Sequence, residues 1–230
     1  FGAVFLAMAA FAANSVLSRA GIYVFDMDPL LFSGIRLASG AGMLAVLVSL
    51  RGGWPRLDRN RGLTAGALLI YLVPFSLAYL TLPSGVGALI LFGVVQITMF
   101  AGSALAGALP TRRQWLGMGL AMTGLSWLLW PSQTLALDGF GVAFMALAGL
   151  GWGVFSLRGR GSRDPLGDIG ISFVALLPVA LVLMVLGGGW SLSGVVLAVI
   201  CGVVTSGLGY ALWYYVLPQI AATTGAVAQL

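Results

Sequence analysis

One charged side chain stands inside the body of an apolar run: Arg36, in the stretch 30–50. A guanidinium near the centre of a membrane helix costs about 2.5–3.5 kcal/mol, so its presence needs a reason. Its planar fork could pair a carboxylate or phosphate bidentately. Its stem could instead carry the charge to an interface or onto carbonyls of a neighbouring helix. Gln96 lies near the middle of the run 84–108, where an amide must find partners. It reads either as a hydrogen bond to a bound solute or as an interhelical bond worth about 0.6–2 kcal/mol. Gln229 sits at a similar depth in the last run, and Asn14 is a lone amide in the first, better suited to holding helices together. Tyr71, Phe75 and Tyr79 share one helix face by their spacing, as do Tyr210, Trp213 and Tyr214. Such faces could wall a cavity for organic solutes or form a belt against lipid. The cavity suits Phe75 and Tyr210, which lie deeper; the belt suits Trp213 and Tyr214, near the end of their run.

What is missing narrows the chemistry further. No apolar run holds Asp, Glu, His or Lys in its interior, so the usual proton-relay groups are lacking. There is no phosphate-binding loop, no metal-ligand cluster and no histidine for a hydrolytic triad. The single cysteine, Cys201, allows no intramolecular disulfide. Neither catalysis nor a bound cofactor or metal is expected.

The elements that position these residues follow from composition. The chain has 230 residues, 60% hydrophobic and 7% charged, with a mean hydropathy of +1.06. A soluble domain carries about 25% charged residues, and a disordered chain is poor in apolar ones. A polytopic membrane protein remains. Nine runs are candidates for spans: 1–18, 30–50, 62–81, 84–108, 114–130, 139–157, 169–186, 192–216 and 220–230. They are continuous rather than alternating, which excludes barrel strands. The first could be a signal peptide, with Ala9–Ala13 as cleavage region. Both ends of the chain fall within apolar runs, so a longer polypeptide is expected, with a tenth helix missing here.

Every basic residue is Arg and every acid is Asp, with a net charge of +5. The arginines sit in short clusters between apolar runs, which needs no nucleic-acid partner. Arg51, Arg56, Arg59 and Arg61, then Arg112 and Arg113, then Arg158, Arg160 and Arg163 fill alternate loops; the others hold only Arg19. By the positive-inside rule the rich loops and the N-terminus are cytoplasmic.

The chain also repeats itself. Asp28-Pro29-Leu30 and Gly52-Gly53-Trp54 recur as Asp164-Pro165-Leu166 and Gly188-Gly189-Trp190 with no gap between. Phe5, Ala7, Ala9 and Arg19 match Phe144, Ala146, Ala148 and Arg158. The unit has five spans, an odd number, so the second copy must enter the membrane upside down. The loop 51–61 is rich in Arg, while its counterpart 187–197 is uncharged. The expected fold is an all-α inverted repeat of two five-helix units, residues 1–133 and residues 134–230, the second truncated within its fourth helix. Gly149 and Gly153, Gly62 and Gly66, and Gly34, Ala38 and Gly42 read as close-packing faces. Pro74 and Pro178 should kink their helices.

These residues resemble the drug/metabolite transporter superfamily, its EamA-like branch in particular. The resemblance rests on Asn14 in a small-residue first span, Leu31-Phe32-Ser33-Gly34-Ile35-Arg36-Leu37, Gln114-Trp115-Leu116-Gly117, and Tyr210-Ala211-Leu212-Trp213-Tyr214-Tyr215. Met99 stands where that family often has Pro, and Gly107-Ala108 where it often has Gly-Glu. The resemblance implies a secondary transporter of small metabolites, read as an exporter of amino acids or related amphipathic solutes by alternating access. Alternatives are a multidrug efflux transporter, a channel or a membrane assembly protein. Expected partners are a small-molecule substrate and the bilayer of a bacterial inner membrane, with a monomer favoured. The substrate contacts would be Arg36, Gln96, Phe75, Tyr79, Tyr210, Asn14 and Gln229.

Overall fold

In hydrocarbon a backbone must satisfy its own hydrogen bonds, so long apolar runs become helices. The computed structural model describes residues 2–108, 110–128 and 138–229, and among these there is no strand. Helix α1 (Gly2–Arg19) runs into a π turn at Ala20–Val24. It is followed by α2 (Pro29–Arg51), α3 (Arg59–Ala78), α4 (Ser84–Leu105), α5 (Arg112–Leu128) and α6 (Gly139–Arg160). Then come α7 (Pro165–Ala175), α8 (Leu177–Leu186) and α9 (Leu192–Ile200). A π stretch, Cys201–Leu208, joins α9 to α10 (Gly209–Val216), and α11 (Ala222–Ala228) follows.

Six helical segments are long and apolar enough to cross a membrane, and α7 with α8, bent by 41°, makes a seventh if taken as one span. Seven of the nine expected spans correspond to these segments; α5 and α11, with 17 and 7 described residues, belong to the expected runs 114–130 and 220–230, which extend past the described residues. The exterior is apolar, with Leu50 80%, Val185 84% and Leu105 90% exposed. With so many large apolar side chains turned outward on helices of membrane-spanning length, the chain is a membrane-embedded protein. The expected division between 133 and 134 lies outside the described residues.

The aspartates start helices. Asp28, Asp58, Asp138 and Asp164 each accept a backbone N–H in the first turn that follows, satisfying orphan donors that lipid could not. Pro29 and Pro165 stand at first positions, where a missing N–H costs nothing. Of the expected kinks, one appears as a break: Pro178 lies just after Leu176, where α7 ends and α8 begins. Pro74 lies inside α3, which continues through it to Ala78.

Contacts between loops define two ends. At one end Arg51 pairs with Asp164 through Nη1 and Nη2, and Arg61 Nε donates to Asp168 at 2.6 Å. Arg160 Nε reaches the Ile220 carbonyl at 3.1 Å, and Gln114 Nε2 donates to Thr223 at 2.5 Å. At the other end Arg19 Nη1 donates to the Tyr79 carbonyl at 2.6 Å and Asp28 N to Gly189 O at 2.9 Å. Ser191 bonds Phe25 O, and Thr81 bonds Asp138. The three arginine-rich loops therefore share an end. Asp28 and Asp164, similar in their local sequence, lie at opposite ends.

The core forms where α2 packs on α7, α8 and the π stretch, α3 on α6, α4 on α6 and α11, and α1 on α10. Two close crossings depend on glycine. A Cβ on Gly151 of α6 would lie 2.6 Å from Tyr71 N, and one on Gly202 would strike the Arg36 carbonyl and lie 3.0 Å from Gly40 N. Gly34, Gly149 and Gly153 are similarly tight, as expected of packing faces. Gly62, Gly66 and Gly42 face open space. Those three are corrections: small-residue spacing marks a face that can pack closely, not one that has a partner.

Candidate functional site

Arg36 sits on the face of α2 that crosses the π stretch at Gly202, and it is 0% exposed. Its Nε donates to Ser206 at 2.9 Å, and its Nη2 to Tyr71 at 3.1 Å and Tyr210 at 2.5 Å. The two phenol oxygens lie 2.8 Å apart. The guanidinium carbon lies 5.2 Å from the Phe75 ring centre and 5.6 Å from that of Tyr71, within reach of the ring quadrupoles. The charge is thus held inward by four elements and does not reach an interface.

Asn14 extends this network. Its Nδ2 donates to Tyr71 at 3.1 Å, and its Oδ1 accepts from Thr205 at 3.0 Å. Asn14 does join helices, as expected, and the joint lies against the Arg36 cluster. Trp152 closes the next side, with ring centres 4.9 Å from Tyr71, 4.7 Å from Tyr210 and 5.1 Å from Phe11. Its Nε1 donates to Gln229 at 2.6 Å, and Gln229 donates onward to Gly225 O and Met99 sulfur. Gln229 is therefore a bridge between α6, α4 and α11. Gln96 is 0% exposed on α4, and among the described residues neither its amide nitrogen nor its oxygen has a partner. Tyr79 lies two turns along α3 from Tyr71; its ring meets Phe75 at 4.8 Å and its carbonyl takes Arg19. It closes the far end and is not a neighbour of Arg36.

The lipid-belt reading of Trp213 and Tyr214 is overturned. They are 0% and 1% exposed. Trp213 Nε1 donates to Ser156, and the Tyr214 hydroxyl to Phe155 O. The face of α10 carrying them turns toward α1, α6 and α7, and nearness to a helix end decides nothing about which face meets lipid.

Sequence reasoning also missed Ser206, Thr205 and Trp152, and counted Tyr71 only as part of a stripe. The available signal was the pair of adjacent hydroxyls, Thr205-Ser206, inside an apolar run. They lie on the π stretch, and widened turns of this kind occur often at functional sites.

A polar cavity of about 660 Å³ opens at the arginine-rich end, between Asn60, Thr64, Arg158, Arg163 and Asp168, with Tyr214 on its wall. Arg158 is steadied there by Thr64 and Asn60. Phe155 packs against both Tyr214, at 4.7 Å, and Tyr210, at 6.4 Å. Tyr210 is one turn from Tyr214, so a short aromatic stack separates the cavity from Arg36. At the same end of the molecule the Arg51 guanidinium holds the Asp164 carboxyl below the usual carboxylate range. Among the described residues no group of His, Cys, Asp or Glu could hold a metal ion.

No family model matches the chain. An uncharacterized protein of Pseudomonas aeruginosa, PA1977, is 43% identical over 98% of this chain and 79% of its own length. A crystal structure of another protein superposes with a TM-score of 0.77 over 99% of this chain and 85% of that one. At 16% identity that likeness is one of fold alone.

Proposed function

We propose that the family to which this chain and the uncharacterized Pseudomonas aeruginosa protein belong is one of secondary transporters. The observation that carries the reading is a pair of orphans. Arg36 Nη1 and the Gln96 amide are the buried side-chain groups without a partner among the described residues. Leaving such groups unsatisfied costs about 1–3 kcal/mol each, more for a charge. A protein that keeps them in apolar surroundings has them for something that comes and goes.

The solutes are small amphipathic metabolites, amino acids or related compounds, and they move by alternating access, in the direction of export. Phe75, Tyr210 and Trp152 supply apolar walls, Asn14 and Gln96 neutral amides, and the cavity beside Tyr214 an entrance from one side. The two halves are an inverted five-helix repeat of the drug/metabolite transporter type, in a bacterial inner membrane with the arginine-rich end cytoplasmic. In support, the capping aspartates Asp28 and Asp164 lie at opposite ends. Helix α2 packs on its counterpart α7–α8 and α4 on α11, while α3 against α6 mirrors α10 against α1. A multidrug substrate bearing only positive charge would meet the like charge of Arg36.

The test is uptake and efflux in vesicles reconstituted with the full-length protein, against a panel of amino acids, organic acids and amphipathic drugs. Saturable transport of one class is expected; no protein-dependent flux of any would reject the reading.

A further inference from the structure

Resting on the transporter reading, and narrowing its solutes from amino acids to the related compounds that lack an ammonium group, we propose that Arg36 seats one carboxylate, and that the protein is an obligatory exchanger of apolar monocarboxylate anions rather than of zwitterions.

The first argument is the balance of donors and acceptors. Arg36 brings five N–H donors, Asn14 two and the phenols of Tyr71 and Tyr210 one each. The acceptors facing them are the Ser206 hydroxyl and the same two phenol oxygens, since the Asn14 oxygen is taken by Thr205. The Tyr71 oxygen alone receives Asn14, Arg36 and Tyr210. Such a site is short of lone pairs, and a carboxylate brings about four. With Nη1 free and Nη2 held by neutral phenols, a bidentate pair can form by turning two hydroxyls.

The second argument is charge. The aspartates all lie at helix ends or in loops, and Arg36 has no ion-pair partner among the described residues. A guanidinium stays protonated in a protein. The empty centre therefore carries one positive charge, a bound monoanion cancels it, and a zwitterion leaves it in place. A zwitterion's ammonium would also find no carboxylate, only ring faces and acceptors already in use. Reorienting requires the centre to be sealed from water on both sides in turn; without an anion only neutral hydroxyls seal Arg36, a weaker counterpart to its charge than a carboxylate. The loaded carrier crosses; the empty one does not.

Three matched series test this, each with one side chain at charges −1, 0 and +1. They are pyruvate, alanine and alaninamide; 4-methyl-2-oxopentanoate, leucine and leucinamide; and phenylpyruvate, phenylalanine and phenylalaninamide. Full-length protein in vesicles, in chloride-free sulfate buffer, should exchange the anions of at least one series about tenfold or more faster than its zwitterion. Efflux of the anion into solute-free buffer should be slower by a similar factor. Arg36→Gln should lower exchange about thirtyfold with elution volume and melting temperature retained, and Arg36→Lys should fall between. Faster zwitterion than anion flux, equal efflux with and without external anion, or normal exchange by Arg36→Gln would each overturn the proposal and leave a transporter. Flux of other solutes but none of these nine would overturn it too. No flux of any solute in the wider panel would reject both readings.

Discussion

Tyr71 carries more of the centre than its place in a stripe suggests. Its hydroxyl serves Asn14, Arg36 and Tyr210 at once, so Tyr71→Phe strands three groups. A loss of about 1–3 kcal/mol is expected, read as a drop in melting temperature in detergent. Tyr79→Phe removes a 3.4 Å contact to Ser84 O and an interaction with Ser15, strands no charged group, and should cost less than about 1 kcal/mol. Gln96 makes the opposite prediction. Its amide has no partner to strand, so Gln96→Leu should leave melting unchanged or raise it while transport falls. Lower stability with normal transport would make Gln96 a structural amide. Arg36 and Gln96 were legible because hydrocarbon makes every polar side chain conspicuous. Tyr71 and Ser206 were not, because hydroxyls are common in membrane helices and only the tertiary arrangement tells which of them meet.

At the scale of elements, the apolar runs and the capping aspartates could be read directly, since both reflect what a backbone needs in lipid. Which face of a helix turns inward could not. Gly62 and Gly151 look alike in sequence, yet one faces open space and the other presses on Tyr71 N. Gly151→Ala should therefore force α3 from α6 and cost about 1–3 kcal/mol, whereas Gly62→Ala should be neutral or slightly stabilising; thermal melts of the two variants check this. The Arg51–Asp164 pair ties α2 to α7 with both side chains partly exposed. Asp164 is held below its ordinary value, so its contribution is present above about pH 4 and fades as acid protonates it. Asp164→Asn should lose no more than about 1 kcal/mol at neutral pH, and the difference from wild type should shrink in melts taken at successively lower pH below about 4.

For the whole molecule the testable quantity is sidedness. Reporter fusions at Arg59, Arg113 and Arg160 should all read cytoplasmic and a fusion at Gly188 external. The arginine-rich loops share one end, while Gly189 meets Asp28 at the other. Arg113 and Gly188 reporting the same side would remove the inverted arrangement. That the arginine-rich loops share an end was legible because charge asymmetry survives in one dimension. The stack of Tyr214, Phe155 and Tyr210 was not, since it joins two helices from opposite faces.

The π stretch Cys201–Leu208 sets the angle at which Tyr210 meets Arg36. Each wide turn holds a residue more than a regular helix would, and one residue corresponds to about 100° of rotation. Losing any single residue there would let the segment relax to ordinary pitch and swing Tyr210, Trp213 and Tyr214 together out of the interior. Natural selection would then act on the length of this stretch as strictly as on Gly202, Thr205 and Ser206, and more strictly than on its other letters. Among relatives, substitutions at those other positions should be frequent and deletions rare, and a lineage carrying a deletion should also have replaced its arginine.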